Sequence, residues 1–527
     1  MIELARDIVG TQPILAVFLA IGVGYLVGQV NLGGFSLGVG AVLFVGLAIG
    51  AFAPKASVIG PIGLTGLIMF LYGIGILYGR QFFEGMTGAA GIKYNALALI
   101  AVAASLLVAL ALGQMYGIRI GHTLGIFAGS MTSTATLQAA LEVMQNKEPS
   151  IGYSIAYPFG VIGPILCIYF MTRHVKPTFP PKAQKFQMGE VTLGDQYTGR
   201  TLGDLAKDLP PDVQVTMVRK EHHNIVPSAD TVLRAGDGLM LIAERASDLS
   251  AAAQQLGKLE PGRIVKDRSA LDYIRVFASR RNVVGMRLGS LRIPGGFEYS
   301  YVQVRRGDTD LLPDDDLVLE FGDRIGVLCS RANFPAVRTF YGDSIKGTAD
   351  FSYISIGVGA TVGLLAGMVP VPLPGVGRIT LGIAGVLLVA LGLGIVRRTS
   401  GIVWTLPLSA NLVLRNFGLT VFLAQVGLAS GPDFAATIAD SGFTFVLLGA
   451  LIVFPLVLVT MLVGRMLSIP VDDLVGIVSG VTGNPAILAH AGRVVPTDRP
   501  DIGYAMILPS MSLVKILFVQ IVAALLG

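Results

Sequence analysis

Charge is distributed so unevenly along these 527 residues that most folds are excluded at the outset. Residues 172–350 hold 48 of the 73 Asp, Glu, Lys and Arg, whereas residues 1–171 hold 11 and residues 351–527 hold 14. A soluble domain needs a charged surface that the two outer stretches cannot supply, while a bilayer asks for runs of about 20 apolar residues. Such runs lie near residues 14–30, 37–53, 61–79, 94–116 and 151–171, and again near 353–369, 379–396, 416–430, 442–464, 473–492 and 502–526. The mean hydropathy of +0.69 agrees with this reading. Two membrane blocks around one soluble insert are therefore expected. The first run follows Glu3, Arg6 and Asp7 without a small-residue cleavage site, so it reads as a first transmembrane segment rather than a leader. A net charge of +5 gives no support for a nucleic-acid partner, because basic residues beside membrane spans are ordinary. Cys167 and Cys329 form neither a disulfide framework nor a metal-ligand spacing.

One stretch breaks the apolar pattern. Gly125–Ala140 puts two glycines and the hydroxyls of Ser130, Thr132, Ser133, Thr134 and Thr136 where a spanning helix should be apolar. A second copy begins at Gly476 and runs through Gly480, Thr482, Gly483, Asn484 and Pro485; matching the hydroxyls requires a one-residue gap. The likeness continues outward, with Ile151-Gly152-Tyr153 and Pro158 corresponding to Ile502-Gly503-Tyr504 and Pro509. Glycines at 66, 75 and 79 recur as glycines at 418, 427 and 431, a spacing that suits close helix packing. The fold class expected is an α-helical polytopic membrane protein of two repeats. If each polar stretch dips into the membrane and returns, each repeat has five spans plus a re-entrant hairpin and the two are inverted. With the insert cytoplasmic, that arrangement keeps Arg397, Arg398, Arg415, Arg465, Arg493 and Arg499 inside, as the positive-inside rule favours. Residues 403–414, interrupted by Pro407, read as an interfacial helix.

The insert alternates apolar and polar residues between turn signals, and it too is duplicated. One copy runs through Val215-Thr-Met-Val218 to Gly236-Asp237-Gly-Leu239, the other through Val302-Gln-Val304 to Gly322-Asp323-Arg-Ile325. This pattern resembles the C-terminal domain of potassium-uptake regulators, RCK-C, here in tandem. The resemblance implies cytoplasmic α+β modules that pair with one another and bind a small regulatory ligand or serve assembly alone. The expected boundaries are residues 1–172 for the first membrane repeat, 173–265 for a linker and first module, 266–350 for the second module and 351–527 for the second repeat.

Two membrane blocks around tandem RCK-C modules, with Thr132-Ser133-Thr134 in one repeat and Thr482-Gly483-Asn484-Pro485 in the other, resemble the aspartate–alanine exchanger family of bacterial secondary transporters. That resemblance implies exchange of small amino acids or dicarboxylates across the bacterial cytoplasmic (inner) membrane. The residues point the same way. A helix broken inside a bilayer frees N–H and C=O groups that are tolerated only against protein or a wet cavity. Gly129, Thr132, Ser133, Thr134, Thr482, Gly483, Asn484 and Pro485 suit such breaks, with half-helix N-termini for carboxylates and carbonyls for an amine or sodium ion. The competing reading of each Thr or Ser is a local bond to a carbonyl one turn back.

Lys515 sits near the middle of the last run, too deep to snorkel, so a substrate carboxylate or a structural one is expected beside it. Its counterpart in the first repeat is Pro164. Arg80 ends the third run and reads as either a snorkelling anchor or a bidentate carboxylate ligand. His122 and His490 flank the polar stretches. Nothing resembles a nucleophile elbow, a P-loop or a zinc site, so no catalytic, metal or cofactor residue is assigned and no enzyme is expected.

The expected function is secondary active exchange of a small anionic or zwitterionic substrate by alternating access, elevator-like, in a homodimer within the lipid bilayer. Coupling to Na+ or H+ and an RCK-C ligand stay open. The alternatives are an RCK-C-regulated ion channel or cation transporter, which would want a carbonyl-lined filter, and a membrane sensor that has lost transport.

Overall fold

A computed structural model describes residues 2–30, 38–56, 60–174, 187–210, 212–221, 223–243, 246–259, 262–306, 309–344, 353–373, 377–495, 497 and 499–526. The chain divides into a membrane unit of residues 1–182, 353–397 and 411–527 and a soluble unit of residues 183–352 and 398–410.

The membrane unit begins with helices α1 (Ile2–Thr11), α2 (Pro13–Gly28), α3 (Ala41–Phe52), α4 (Gly60–Thr87) and α5 (Ala89–Met115). Two short helices follow, α6 (Ile120–Ser130) and α7 (Thr134–Met144), and then the long α8 (Glu148–His174). Among the described residues six helical stretches are long and apolar enough to cross a membrane: Pro61–Thr87, Ala89–Met115, Glu148–Arg173, Leu408–Pro432, Leu447–Met466 and Arg499–Leu526. Four of the expected spans are shorter helices: Pro13–Gly28, Gly38–Phe52, Tyr353–Met368 and Ala384–Val396. Hydropathy counts apolar residues whether or not they are helical, and part of each run belongs to a turn or hairpin.

The soluble unit holds two sheets. The first is built from β1 (Gln187–Leu193), β2 (Val213–Lys220), β3 (His223–Ile225), β4 (Gly238–Ala243) and β5 (Gly257–Leu259), with helices α9 (Leu202–Asp208) and α10 (Ala246–Leu256). After the short α11 (Arg263–Lys266), the second is built from β6 (Asp272–Phe277), β7 (Ser300–Arg306), β8 (Thr309–Leu311) and β9 (Arg324–Cys329), closed by α12 (Phe334–Tyr341). Strand orders are β3-β2-β4-β1-β5 and β6-β9-β7-β8, all antiparallel. Pairing β1 with β6, β2 with β7, β3 with β8 and β4 with β9 makes the two orders the same apart from β5. Even the register irregularity recurs, between Val215 and Met217 in β2 and between Tyr301 and Gln303 in β7. A cavity of about 230 Å³ lies between the two sheets, lined by Met217, Met240, Leu271, Tyr273 and Asp267 among others. Asp267 is held down to about 2 by hydrogen bonds from Ser269 and by the Arg219 guanidinium.

The second membrane segment contributes α13 (Tyr353–Met368), a hairpin of β10 (Pro370–Leu373) and β11 (Gly377–Thr380), and α14 (Ala384–Val396). Of residues 403–414, expected as an interfacial helix, 403–407 are not helical and 408–414 open a long helix whose first part is apolar enough to span. Residues 398–403 form a small hairpin, β12 (Arg398–Thr399) with β13 (Ile402–Val403), and helix resumes only with α15 (Leu408–Met466). Val403 is buried in the hydrophobic cluster of the second sheet with Ile274, Val276 and Val283, and Arg398 donates to the Arg281 carbonyl at 3.0 Å. Burial of Val403 among these apolar side chains favours the hairpin there. The last helices are α16 (Val471–Thr482), α17 (Pro485–Val494) and α18 (Arg499–Leu526).

The glycines noted in register are helix contacts. A Cβ at Gly75 would meet Ala390 and Leu387 of α14, and Gly79 lies against Leu391 and Gly394. Gly427 and Gly431 of α15 meet Leu43, Gly46 and Leu47 of α3 in the same manner. Helix α14 therefore packs on α4, and α3 packs on α15. Separately, one apolar core joins α5, α6, α8, the later part of α15, α16, α17 and α18 through Leu97, Phe127, Ile155, Leu456, Ile477 and Ile507.

Candidate functional site at two helix breaks

At 1.5 Å per residue, α6 and α7 are each about 16 Å long, roughly half the hydrocarbon thickness, and α16 and α17 are similar. Both pairs are broken by one left-handed residue, Thr132 with φ +46° and Gly483 with φ +76°. These two residues are separated by the same interval as Tyr153 and Tyr504. The backbones therefore correspond without the one-residue gap expected from matching hydroxyls, and Thr132 answers to Gly483 rather than to Thr482. Ser133 and Asn484 follow as equivalent residues, each immediately preceding a helix.

The two breaks meet. Thr132 Oγ1 donates to the Thr482 carbonyl at 3.0 Å, a bond between side chain and backbone 350 residues apart. Lys515 Nζ donates to the Val481 carbonyl at 2.8 Å, and the Tyr504 hydroxyl donates to the Gly483 carbonyl at 3.3 Å. Asn484 Nδ2 reaches the Tyr157 hydroxyl at 3.4 Å, and Ser133 and Thr136 share a hydroxyl bond of 2.6 Å. All these polar groups are buried: Thr132, Ser133, Thr134, Thr482 and Asn484 are each below a tenth exposed, and Lys515 is 1% exposed.

The expected residues thus divide by behaviour. Thr132, Ser133, Asn484, Gly483 and Lys515 come together at the breaks, and Thr134 starts α7 beside them. Thr482 turns its own hydroxyl back onto Val478 and Ser479 at 3.0 Å each, the local bond a membrane threonine commonly makes, and offers only its carbonyl to Thr132. Gly129 is a packing residue, because a Cβ there would clash with the Tyr153 backbone of α8. Pro485 begins α17, but its side chain lies outside the described residues. Arg80 is exposed on α4, two residues beyond Tyr78, whose ring packs edge-on against Tyr504 at 5.9 Å. Of the two carboxylates expected beside Lys515, no structural one pairs with it among the described residues; Nζ meets a helix-end carbonyl, whose partial negative charge suits an amine donor. Sequence reasoning misses Tyr157 and Tyr504 as site residues. Tyr504 recurs in the two Ile-Gly-Tyr copies and Tyr157 lies one helical turn after Tyr153, which is the signal that marks them.

Each pair of short helices is also tied at its outer end. Glu148, in the first turn of α8, pairs with Arg119 and lies 3.7 Å from His122 Nδ1. In the other pair Asp473 is bound by Arg499, in the first turn of α18, at 2.7 Å and by the Tyr94 hydroxyl at 2.7 Å. His122 and Asp473 are equivalent positions, as are Glu148 and Arg499, so the carboxylate of the tie lies on the long helix in one pair and on the short helix in the other. Among the described residues no group of three or more His, Cys, Asp or Glu could hold a metal ion.

Long apolar helices, interrupted helices meeting around buried polar groups, and a paired soluble module define a polytopic membrane transporter. The aspartate–alanine exchanger permease profile, described as a predicted permease membrane region, matches residues 16–173 and 355–524, and the chain belongs to that family. A TrkA-C domain profile matches residues 273–342, the second of the two modules. Over 98% of both chains the protein is 35% identical to an uncharacterized transporter of Geobacter sulfurreducens. It is 37% identical over all of both chains to one of Symbiobacterium thermophilum, and 30% identical to one of Bacteroides fragilis over 96% of this chain and 97% of that one.

Proposed function

We propose that the protein is a secondary exchanger of small amino acids or dicarboxylates, with the substrate held where the two helix breaks meet. The observation that carries this reading is the Thr132–Thr482 contact, which brings two repeat-related breaks together inside an apolar core. Amide groups at the starts of α7 and α17 favour a carboxylate. Ser133, Thr134 and Asn484 supply hydroxyl and amide groups beside them, with Thr132, Thr482, Gly483 and Pro485 shaping the breaks. Lys515 spends one N–H on Val481 and, having three, can direct another at an anion. Arg80 serves an approaching anion rather than the bound one, since it is exposed.

In this reading the short helix pairs are re-entrant hairpins in inverted repeats of five spans each. The core of α5 to α8, later α15 and α16 to α18 carries both breaks against a scaffold of α2, α3, α13 and α14, elevator-like, in a homodimer. Residues 173–265 and 266–350 act as cytoplasmic RCK-C modules at the inner membrane, and the cavity between their sheets is the place for a regulatory ligand. Counterflow in liposomes with aspartate, alanine and succinate tests the function. Exchange of any one against itself is expected. Conductance without counterflow would favour a channel and reject the exchanger.

A further inference from the structure

The last carbonyls of a helix have no intrahelical partner and carry the negative end of its dipole. Inside a membrane such groups must be satisfied, and in transporters with broken helices they commonly coordinate an alkali cation. At the end of α16 its last two carbonyls and that of the capping residue Gly483 each accept from a side-chain donor of this chain. Val481 receives Lys515 Nζ, Thr482 receives Thr132 Oγ1 and Gly483 receives the Tyr504 hydroxyl. The donor on Val481 is a lysine nitrogen, buried and tethered by its four-carbon stem. Among the described residues no Asp or Glu forms an ion pair with it, and its partner is the carbonyl end of α16. The first break has no such group: the position equivalent to Lys515 is Pro164, inside α8.

We infer that Lys515 is a tethered cation occupying, at the carbonyl end of α16, the position an alkali ion would otherwise fill, so that the second break is assembled without sodium. This deepens the exchanger reading and rests on it, since it states how the same site dispenses with a coupling ion. An ammonium and a sodium ion ask the same of these carbonyls, a positive charge within about 3 Å. A fixed charge satisfies them in every state of the cycle, whereas a bound ion would travel with the substrate. Removing the charge while leaving room should therefore turn the same carbonyls into a sodium site.

The test uses the full-length protein in detergent, with the apparent melting temperature and 22Na+ binding as readouts that need no known substrate. Wild type and Lys515→Arg are expected to melt at the same temperature in about 100 mM NaCl and in about 100 mM choline chloride, since neither binds the ion. Lys515→Ser is expected to melt lower in choline chloride and to regain about 3 °C in NaCl, as ligand linkage requires. It should also bind 22Na+ at least tenfold above wild type. A sodium-dependent rise or saturable 22Na+ binding in wild type would overturn the inference, and so would a Lys515→Ser protein indifferent to sodium. If Lys515→Ser does not purify, the wild-type readings still decide, because a wild-type protein that binds sodium has no tethered substitute for it. Absence of counterflow with all three substrates would remove the exchanger reading and leave these sodium readings standing.

Discussion

The two helix breaks share a backbone and differ in chemistry. Each has one left-handed residue, a buried polar residue after it, a glycine pressed against the following long helix and a charged tie at its outer end. The first break turns at a threonine, is tied by Glu148 to a histidine and an exposed arginine, and has a proline at the position where the second has Lys515. The second turns at a glycine, is tied by a buried aspartate to an arginine, and has its carbonyls taken by protein donors. Backbone geometry is what a broken membrane helix requires, and side-chain chemistry is free to diverge between copies. The two breaks thus share a backbone turn at positions 351 residues apart and differ in the side chains around it.

The comparison is tested hardest at the outer ties. Arg499→Met leaves Asp473, 2% exposed in its side chain, with Tyr94 as its remaining described partner, and should cost about 3 kcal/mol, the usual result of stranding a buried charge. Glu148→Gln should cost about 1 kcal/mol or less, because Arg119 is 74% exposed and its charge stays in water. Melting of the purified variants checks both, and equal losses would mean that the ties are equivalent despite their chemistry. The glycines come next. Gly129→Ala drives a methyl into the Tyr153 backbone and should cost about 2–3 kcal/mol. Gly480→Ala meets the Tyr504 carbonyl at 3.1 Å and Ile507 Cβ at 2.9 Å, and should cost about 1 kcal/mol. Then Gly483→Ala, forced to a φ of +76° with Leu508 Cδ1 3.0 Å from its new methyl, should lose about 1 kcal/mol. Thr132→Gly should gain back part of that amount in melting temperature, offset by its lost hydrogen bond.

Much of this comparison is legible in the sequence, and what is not has physical causes. Hydropathy locates the membrane blocks, and the hydroxyl-rich interruption locates both breaks, because an apolar run tolerates a polar cluster only where protein or a wet cavity satisfies it. The register of the two breaks is less readable. Matching hydroxyl to hydroxyl pairs Thr132 with Thr482, one residue off, whereas the requirement the two copies share is a left-handed backbone, which glycine meets freely and threonine meets under strain. The depth of Lys515 is visible, but its carbonyl partner is not, since every residue has a carbonyl and sequence does not say which one ends a helix in the right place. The short helices α2, α3, α13 and α14 and the hairpin at residues 398–403 are hidden for a related reason. Apolar composition shows what will be buried and not whether lipid or another element buries it.

The smallest expected effect separates the two threonines that look alike in sequence. Thr482 spends its hydroxyl on Val478 and Ser479 within its own helix, so Thr482→Ala should shift melting by less than about 1 °C and leave transport near wild type. Thr132 instead spends its hydroxyl on the other break, so Thr132→Ala removes a bond worth about 1 kcal/mol that joins the two breaks. If substrate sits between those breaks, its loss should emerge chiefly in counterflow, as a several-fold fall in rate at little cost in stability. Equal behaviour of the two alanine variants would mean that the contact between the breaks is packing alone.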